Sequence, residues 1–169
     1  MSTHALHLMH FEGGSALSAF RAQALLARLQ AVVPRIHGVS ARFVHWVAFD
    51  AEPSRAQADT LAALLTYGEP AEPAAASECV VVMPRLGTVS PWASKATDIA
   101  RNCGIGTQGA AGRPRLHRLE RVVEYSLVLK SGLLSAARPL NADERAAVAG
   151  LLHDRMTESV AFEREAGRT

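Results

Sequence analysis

Pro84-Arg85-Leu86-Gly87-Thr88-Val89-Ser90-Pro91-Trp92-Ala93-Ser94-Lys95-Ala96-Thr97-Asp98-Ile99-Ala100-Arg101-Asn102-Cys103-Gly104 reads as a loop that follows a strand and leads into a helix with both ends marked. The preceding run Cys79-Val80-Val81-Val82-Met83 is apolar and rich in β-branched residues, as a buried strand requires. Ser90 followed by Pro91 is an N-cap and a first-turn proline, a position where no backbone N–H is needed. Trp92, Ala96, Ile99, Ala100 and Cys103 recur at helical spacing and predict the inward face. Gly104 supplies the left-handed residue that closes a helix. Ser94, Lys95, Asp98, Arg101 and Asn102 then point away from the core, a mixture of hydroxyl, amide and both charges that simple solvation does not call for.

Outward from this stretch, strands and helices alternate. Ala5 to Phe11 predicts a first strand, turning at Gly13-Gly14. Ser15 would cap a helix to about Gln30, with Leu17, Phe20, Ala24 and Ala27 facing inward. Val39 to Phe49 is a second strand, and Ser54 opens a second helix that stops at Tyr67-Gly68. Residues 69–77, rich in Pro and Ala, read as a linker. The order then repeats as strand 78–83, helix 91–103, strand 118–130 and helix 142–160, the last opened by Asn141 with Asp143 and Glu144 in its first turn. The expectation is an α+β domain of two β-α-β-α halves, about 5–68 and 78–160, in a sheet-and-helix layered arrangement. Element order alone carries the idea of a repeat. Residues 105–115 predict a surface loop.

Composition narrows the function. A chain of 169 residues that is 49% hydrophobic and 20% charged is an ordinary globular protein, able to bury roughly 70% of its unfolded surface. The net charge of +2 and the lack of Lys/Arg clusters interleaved with aromatics argue against nucleic acid as a partner. No apolar run approaches membrane length and the first residues lack a signal-peptide layout, so a cytoplasmic setting without membrane contact is expected. The two cysteines, Cys79 and Cys103, have no zinc or disulfide-framework spacing.

The motifs that invite chemistry weaken on inspection. Gly104, Gly106 and Gly109 spell G-x-G-x-x-G, but a dinucleotide site needs a strand before the glycines and a helix after them; here the helix comes first. Gly87 to Lys95 is not a P-loop, because Ser and Lys come in the wrong order and spacing. His4, His7 and His10, three apart on a predicted strand, alternate between faces and do not converge on a metal. His45 and His153 stand alone on their elements. Cys103 reads as a small core residue rather than a nucleophile. The better candidate is the loop from Arg85 to Ser90. Arg85, Thr88 and Ser90 beside a helix start could receive an anion such as phosphate. The plainer alternative is that Ser90 only caps the helix, Thr88 closes a turn and Arg85 pairs with a surface carboxylate. Lys95 and Asp98 could simply pair with each other.

The stretch from Pro84 to Gly104 resembles the signature Pro-Arg-x-Gly-Thr-x-Ser-Pro-Trp-x-Ser-Lys-Ala-Thr-Asp-Ile-Ala-x-Asn-Cys-Gly of the N-terminal domain of the large single-chain phosphoribosylformylglycinamidine synthases, matching it nearly throughout. Ser15 to Arg21, Leu61 to Gly68, Arg118 to Arg121 and Leu152 to Glu158 resemble further elements of that domain, the last of them its final helix. The resemblance implies a domain similar to a fused dimer of the small structural subunit of the multi-subunit enzyme. It would span residues 1–163, with 164–169 a tail or the start of a linker to domains absent from this piece. It implies a ligase that uses ATP and glutamine to convert formylglycinamide ribonucleotide to the amidine in purine biosynthesis. No cofactor is expected in this chain; ATP and magnesium belong to a synthetase domain elsewhere. The implied partners are the synthetase and glutaminase domains, with possible contact to formylglycinamide ribonucleotide. Arg85, Thr88, Ser90, Ser94, Lys95, Asp98 and Asn102 would then line a substrate mouth, an ammonia route or a domain contact, with Trp92 as anchor beneath them. No residue is assigned a catalytic role, and the isolated chain is expected to be inactive. The alternative is a free-standing assembly or regulatory subunit that acts by docking.

Overall fold

A computed structural model describes residues 6–72, 75–106 and 114–163. The elements are β1 (His7–Ser15), α1 (Ala19–Val32), β2 (Ile36–Phe49), α2 (Arg55–Leu65), β3 (Glu78–Pro84), α3 (Pro91–Asn102), β4 (Leu116–Leu129), α4 (Ala142–Leu152) and β5 (Glu158–Ala161). The strands form one antiparallel sheet in the order β1-β2-β4-β3-β5. The first predicted half contributes β1 and β2 and the second β4, β3 and β5, and the long β2–β4 ladder joins them, with Arg42 opposite Glu124 and Trp46 opposite Glu120. A two-fold axis through that central pair would generate the first four strands in this order; β5 breaks it.

Side-chain alternation divides the sheet into two unlike faces. On one face Ile36, Val80, Val82, Leu127 and Leu129 pack with Leu29 and Val33 of the α1 region and Val148 and Leu152 of α4. Farther along the same face, Val47, Phe49, Leu116 and Leu119 pack with Leu61 and Leu65 of α2 and with Ala100 of α3. The intervening strand positions Val44, Val81, Met83 and Val122 form a third cluster with Trp46, Cys79 and Ala161, to which no helix contributes. Among the described residues all four helices therefore cover one face and leave the other without a helical layer. This is the layered α+β architecture that the alternating pattern predicted.

The local punctuation is as expected at most ends. Ser54, Ser90 and Asn141 cap α2, α3 and α4, and both Ser54 with Gln57 and Asn141 with Glu144 form capping boxes. Gly104 takes φ +81° at the close of α3.

Three expectations need correction. The chain does not turn at Gly13-Gly14 but remains in β1 to Ser15, with a register shift after Glu12. Ser15 N–H donates to the Glu69 carbonyl at 2.7 Å and Ala16 N–H to the Ala41 carbonyl at 2.9 Å, so this segment is held against neighbouring strand and linker backbone. Ser18, not Ser15, caps α1. The inward face of α1 is Leu29 with Leu25 and Leu26, whereas Phe20 is 80% exposed and Ala24 and Ala27 are also exposed. In a helix this rich in Ala and Leu several stripes are apolar, and the one with the larger side chains is buried.

The second correction concerns α3. Ala93, Thr97 and Ala100 are buried, Trp92 and Ala96 are half-buried, and Ile99 and Cys103 are exposed. Thr97 belongs inside because its hydroxyl accepts the Leu119 N–H at 3.1 Å; Cys103 is exposed and is not a core residue. Third, the last helix ends at Leu152. Asp154 turns the chain, accepting from Met156 N–H through its carboxylate and from Glu158 N–H through its carbonyl, both at 2.8 Å. The residues expected to continue the helix instead form β5, which pairs Val160 with Val82 on the edge of β3. Most of the loop predicted at 105–115 and the tail at 164–169 lie outside the described residues.

Candidate functional site

The 85–90 loop is built as a fixed turn. Arg85 N–H donates to Thr157 at 2.9 Å, and both the N–H and the hydroxyl of Thr88 donate back to the Arg85 carbonyl. Gly87 has φ +78° at the third position of this turn, where a side chain would be strained. Arg118 then ties the loop to β4 by donating to the Thr88 carbonyl at 2.8 Å.

Ser90 accepts from Ala93 N–H at 3.0 Å and donates its hydroxyl proton to Glu120 at 2.8 Å. The Glu120 carboxylate is buried, and it also accepts from Arg121 N–H at 3.0 Å and from the Arg118 guanidinium at 2.7 Å. The positive end of α3 thus already lies beside an internal carboxylate. Any phosphate arriving at Ser90 would share the position with Glu120.

The other candidates separate into two groups. Ser94, Lys95, Asp98 and Asn102 are exposed on the outer surface of α3, as predicted. Lys95 and Asp98 do not pair with each other; Asp98 lies 3.8 Å from Arg101. Lys95 borders an apolar groove between α2 and α3 that includes Leu64, Tyr67 and Ile99 and encloses about 230 Å³. Arg85 and Thr88 occupy the loop, exposed, and with Ser90 and Trp92 they line a cavity of about 490 Å³ reached also by Phe43 and Arg121.

Trp92 anchors more than a helix. Its ring lies 5.6 Å from that of His45, and the Arg121 guanidinium is stacked between Phe43 and Trp92, 4.3 and 4.7 Å from their centroids. His45 is fully buried, and its Nε2 is 2.8 Å from the Tyr67 hydroxyl, which accepts from Arg121 at 3.3 Å. Burial above all lowers the His45 pKa to about 4; the Phe11 carbonyl opposes this and the Arg121 charge reinforces it. The ring is therefore neutral near pH 7. Among the described residues Nδ1 has no hydrogen-bond partner, so with the ring proton there Nε2 accepts from the Tyr67 hydroxyl, giving a chain from Arg121 through Tyr67 to His45. Sequence reasoning missed this cluster, although strand alternation places His45 and Arg121 on the helix side.

Among the described residues no group of three or more His, Cys, Asp or Glu is arranged to hold a metal ion. Nor, among the described residues, is any helix long and apolar enough to cross a membrane.

A family model for the formylglycinamide ribonucleotide amidotransferase N-terminal domain matches residues 42–169. The chain belongs to that family. The match includes the whole loop, α3 and β4, together with β2 from Arg42 onward. It places the chain in purine biosynthesis, as part of an amidotransferase that is a ligase, phosphoribosylformylglycinamidine synthase. β1 and α1 precede the matched region, yet they complete the same sheet and the same helical layer. The stretch from Leu152 to Glu158, which resembled the final helix of this family's domain, is here the end of α4 and the turn into β5.

Proposed function

We propose that this amidotransferase N-terminal domain is a non-catalytic organiser. It would hold the synthetase and glutaminase parts of the enzyme in register and present the surface of α3 and the 85–88 loop to the synthetase part. The observation that carries this reading is the division of labour on α3. Its inward side is committed to the sheet through Ala93, Thr97 and Ala100, while Ser94, Asp98 and Asn102 stand exposed in one row with Lys95 exposed beside it. Arg85 extends that polar surface at the helix start. Lys95 and Arg85 have no ion-pair partner among the described residues, so both cations are available to a neighbour. Formylglycinamide ribonucleotide, a phosphate ester, suits a surface of this kind where domains meet, as does a passage for ammonia. ATP and magnesium would be held by the synthetase part, and the isolated chain would turn over neither ATP nor glutamine.

The test is complementation in trans. The purified chain is added to an otherwise complete enzyme lacking this domain, and ADP formation is followed with formylglycinamide ribonucleotide and glutamine. Restored turnover, lowered at least tenfold by the double change Lys95→Ala and Asp98→Ala, is expected. A double variant that restores turnover as well as the wild type would refute the contact surface. Stable association without turnover would instead favour a docking subunit with a regulatory role.

A further inference from the structure

The face of the sheet without helices carries a pocket of its own. It encloses about 400 Å³, within the ~300–1,000 Å³ range of small-molecule sites. Its floor is apolar and comes from four strands: Leu8 of β1, Trp46 and Ala48 of β2, Val122 of β4 and Met83 of β3. The 85–88 turn forms one wall, and it is fixed in place by the Arg118 bond to Thr88 and the backbone bond from Arg85 to Thr157.

Charge decides what such a pocket accepts. Glu120 and Arg118 both reach it, but they neutralise each other at 2.7 Å, and the remaining carboxylate contacts are taken by Ser90 and the Arg121 N–H. Arg85 at the rim is left over as an exposed cation without an ion-pair partner among the described residues. The pocket therefore combines an apolar, aromatic floor with the unpaired Arg85 cation at its edge, and the exposed imidazole of His117 also lines it.

We propose that this pocket binds a small amphipathic anion, with a flat apolar body lying against Trp46 and its carboxylate, sulfonate or phosphate directed to Arg85. The site lies across the sheet from α3. It shares the 85–88 loop, which sits at the sheet's edge and borders both sides, but none of the α3 residues proposed to face the synthetase part.

The experiment uses the 169-residue chain with Trp92→Phe, which leaves Trp46 as its one tryptophan. Two probes are titrated: 1-anilinonaphthalene-8-sulfonate, and N-phenyl-1-naphthylamine, which has the same ring body without the sulfonate. Saturable one-site quenching of Trp46 is expected, with the sulfonate bound at least tenfold more tightly than the neutral probe. Arg85→Ala should remove that preference and leave the neutral probe unchanged. Leu8→Glu, at a half-open position of an edge strand, should keep the circular dichroism of the parent and weaken the sulfonate at least tenfold. Equal affinity for the two probes, many weak non-saturating sites, no quenching of Trp46, or indifference to both Arg85→Ala and Leu8→Glu would each overturn the proposal.

Discussion

Replacing His45 with glutamine and following unfolding from about pH 7.5 to about pH 4 isolates the energetics of the buried imidazole. In the folded chain burial lowers the His45 pKa from 6.5 to about 4. At ~1.36 kcal/mol per pH unit that interval converts to ~3 kcal/mol at most. Because the folded pKa lies below the unfolded one, the unfolded chain takes up the proton first as pH falls. The contribution is therefore complete above about pH 6.5, declines through the interval and levels off below about pH 4. The slope for a single proton should not exceed ~1.4 kcal/mol per pH unit. Glutamine does not titrate, so the variant lacks this slope. It should carry instead a pH-independent cost of ~1–2 kcal/mol from the lost Tyr67 hydrogen bond and ring packing. Urea unfolding at several pH values, read by circular dichroism, gives both curves, and every other titrating group is common to the two proteins. The wild-type advantage should shrink, and can reverse, as pH approaches 4. Parallel curves across the whole range would refute a neutral, buried His45.

Ser90→Ala removes the α3 cap and one donor to the buried Glu120, and should cost ~1–3 kcal/mol in urea unfolding. A loss below ~0.3 kcal/mol would mean that water replaces the hydroxyl at both positions. Gly106→Ala should be worse than an ordinary surface change, by more than ~2 kcal/mol, because Gly106 has φ +64° and an added Cβ would lie 2.3 Å from the Leu116 nitrogen. A thermal midpoint equal to wild type would contradict that close approach. Glu144 is held to about 2 chiefly by its hydrogen bonds to the Arg35 guanidinium, and then by the Asn141 backbone N–H. Its stabilising effect is complete above pH 4.5 and is lost as pH falls through about 2; Arg35→Met should move the carboxyl titration upward, toward 4.5. A carboxyl chemical-shift titration unchanged by Arg35→Met would rule out that pairing.

The signals that proved readable from sequence are short-range. Ser54, Ser90 and Asn141 cap helices because each side-chain oxygen meets an N–H three residues away, and Gly104 ends α3 because its own φ allows it. The outward row on α3 was equally legible, since polar residues at helical spacing have one place to go. The buried side of α3 was less so. Thr97 is inside because a backbone N–H of β4, 22 residues away, needs its hydroxyl, and no pattern within the helix announces that partner. The face of α1 failed for a related reason, as alanines fit either inside or out and leave the choice to the leucines.

By itself the sequence determined the alternation of strands and helices, the capped ends, the polar surface of α3 and, through the stretch from Pro84 to Gly104, the family. These rest on neighbours in the chain, whose geometry the backbone already dictates. Only the tertiary structure decided the strand order, the ending of α4 at Leu152 with β5 on the free edge of β3, and the covering of one sheet face alone. It alone brought Arg121, Tyr67 and His45 into one chain beneath Trp92, and Arg85 to the rim of an apolar pocket. Those outcomes depend on which distant backbone edges and side chains meet once the whole apolar surface is buried, a competition that local periodicity does not record.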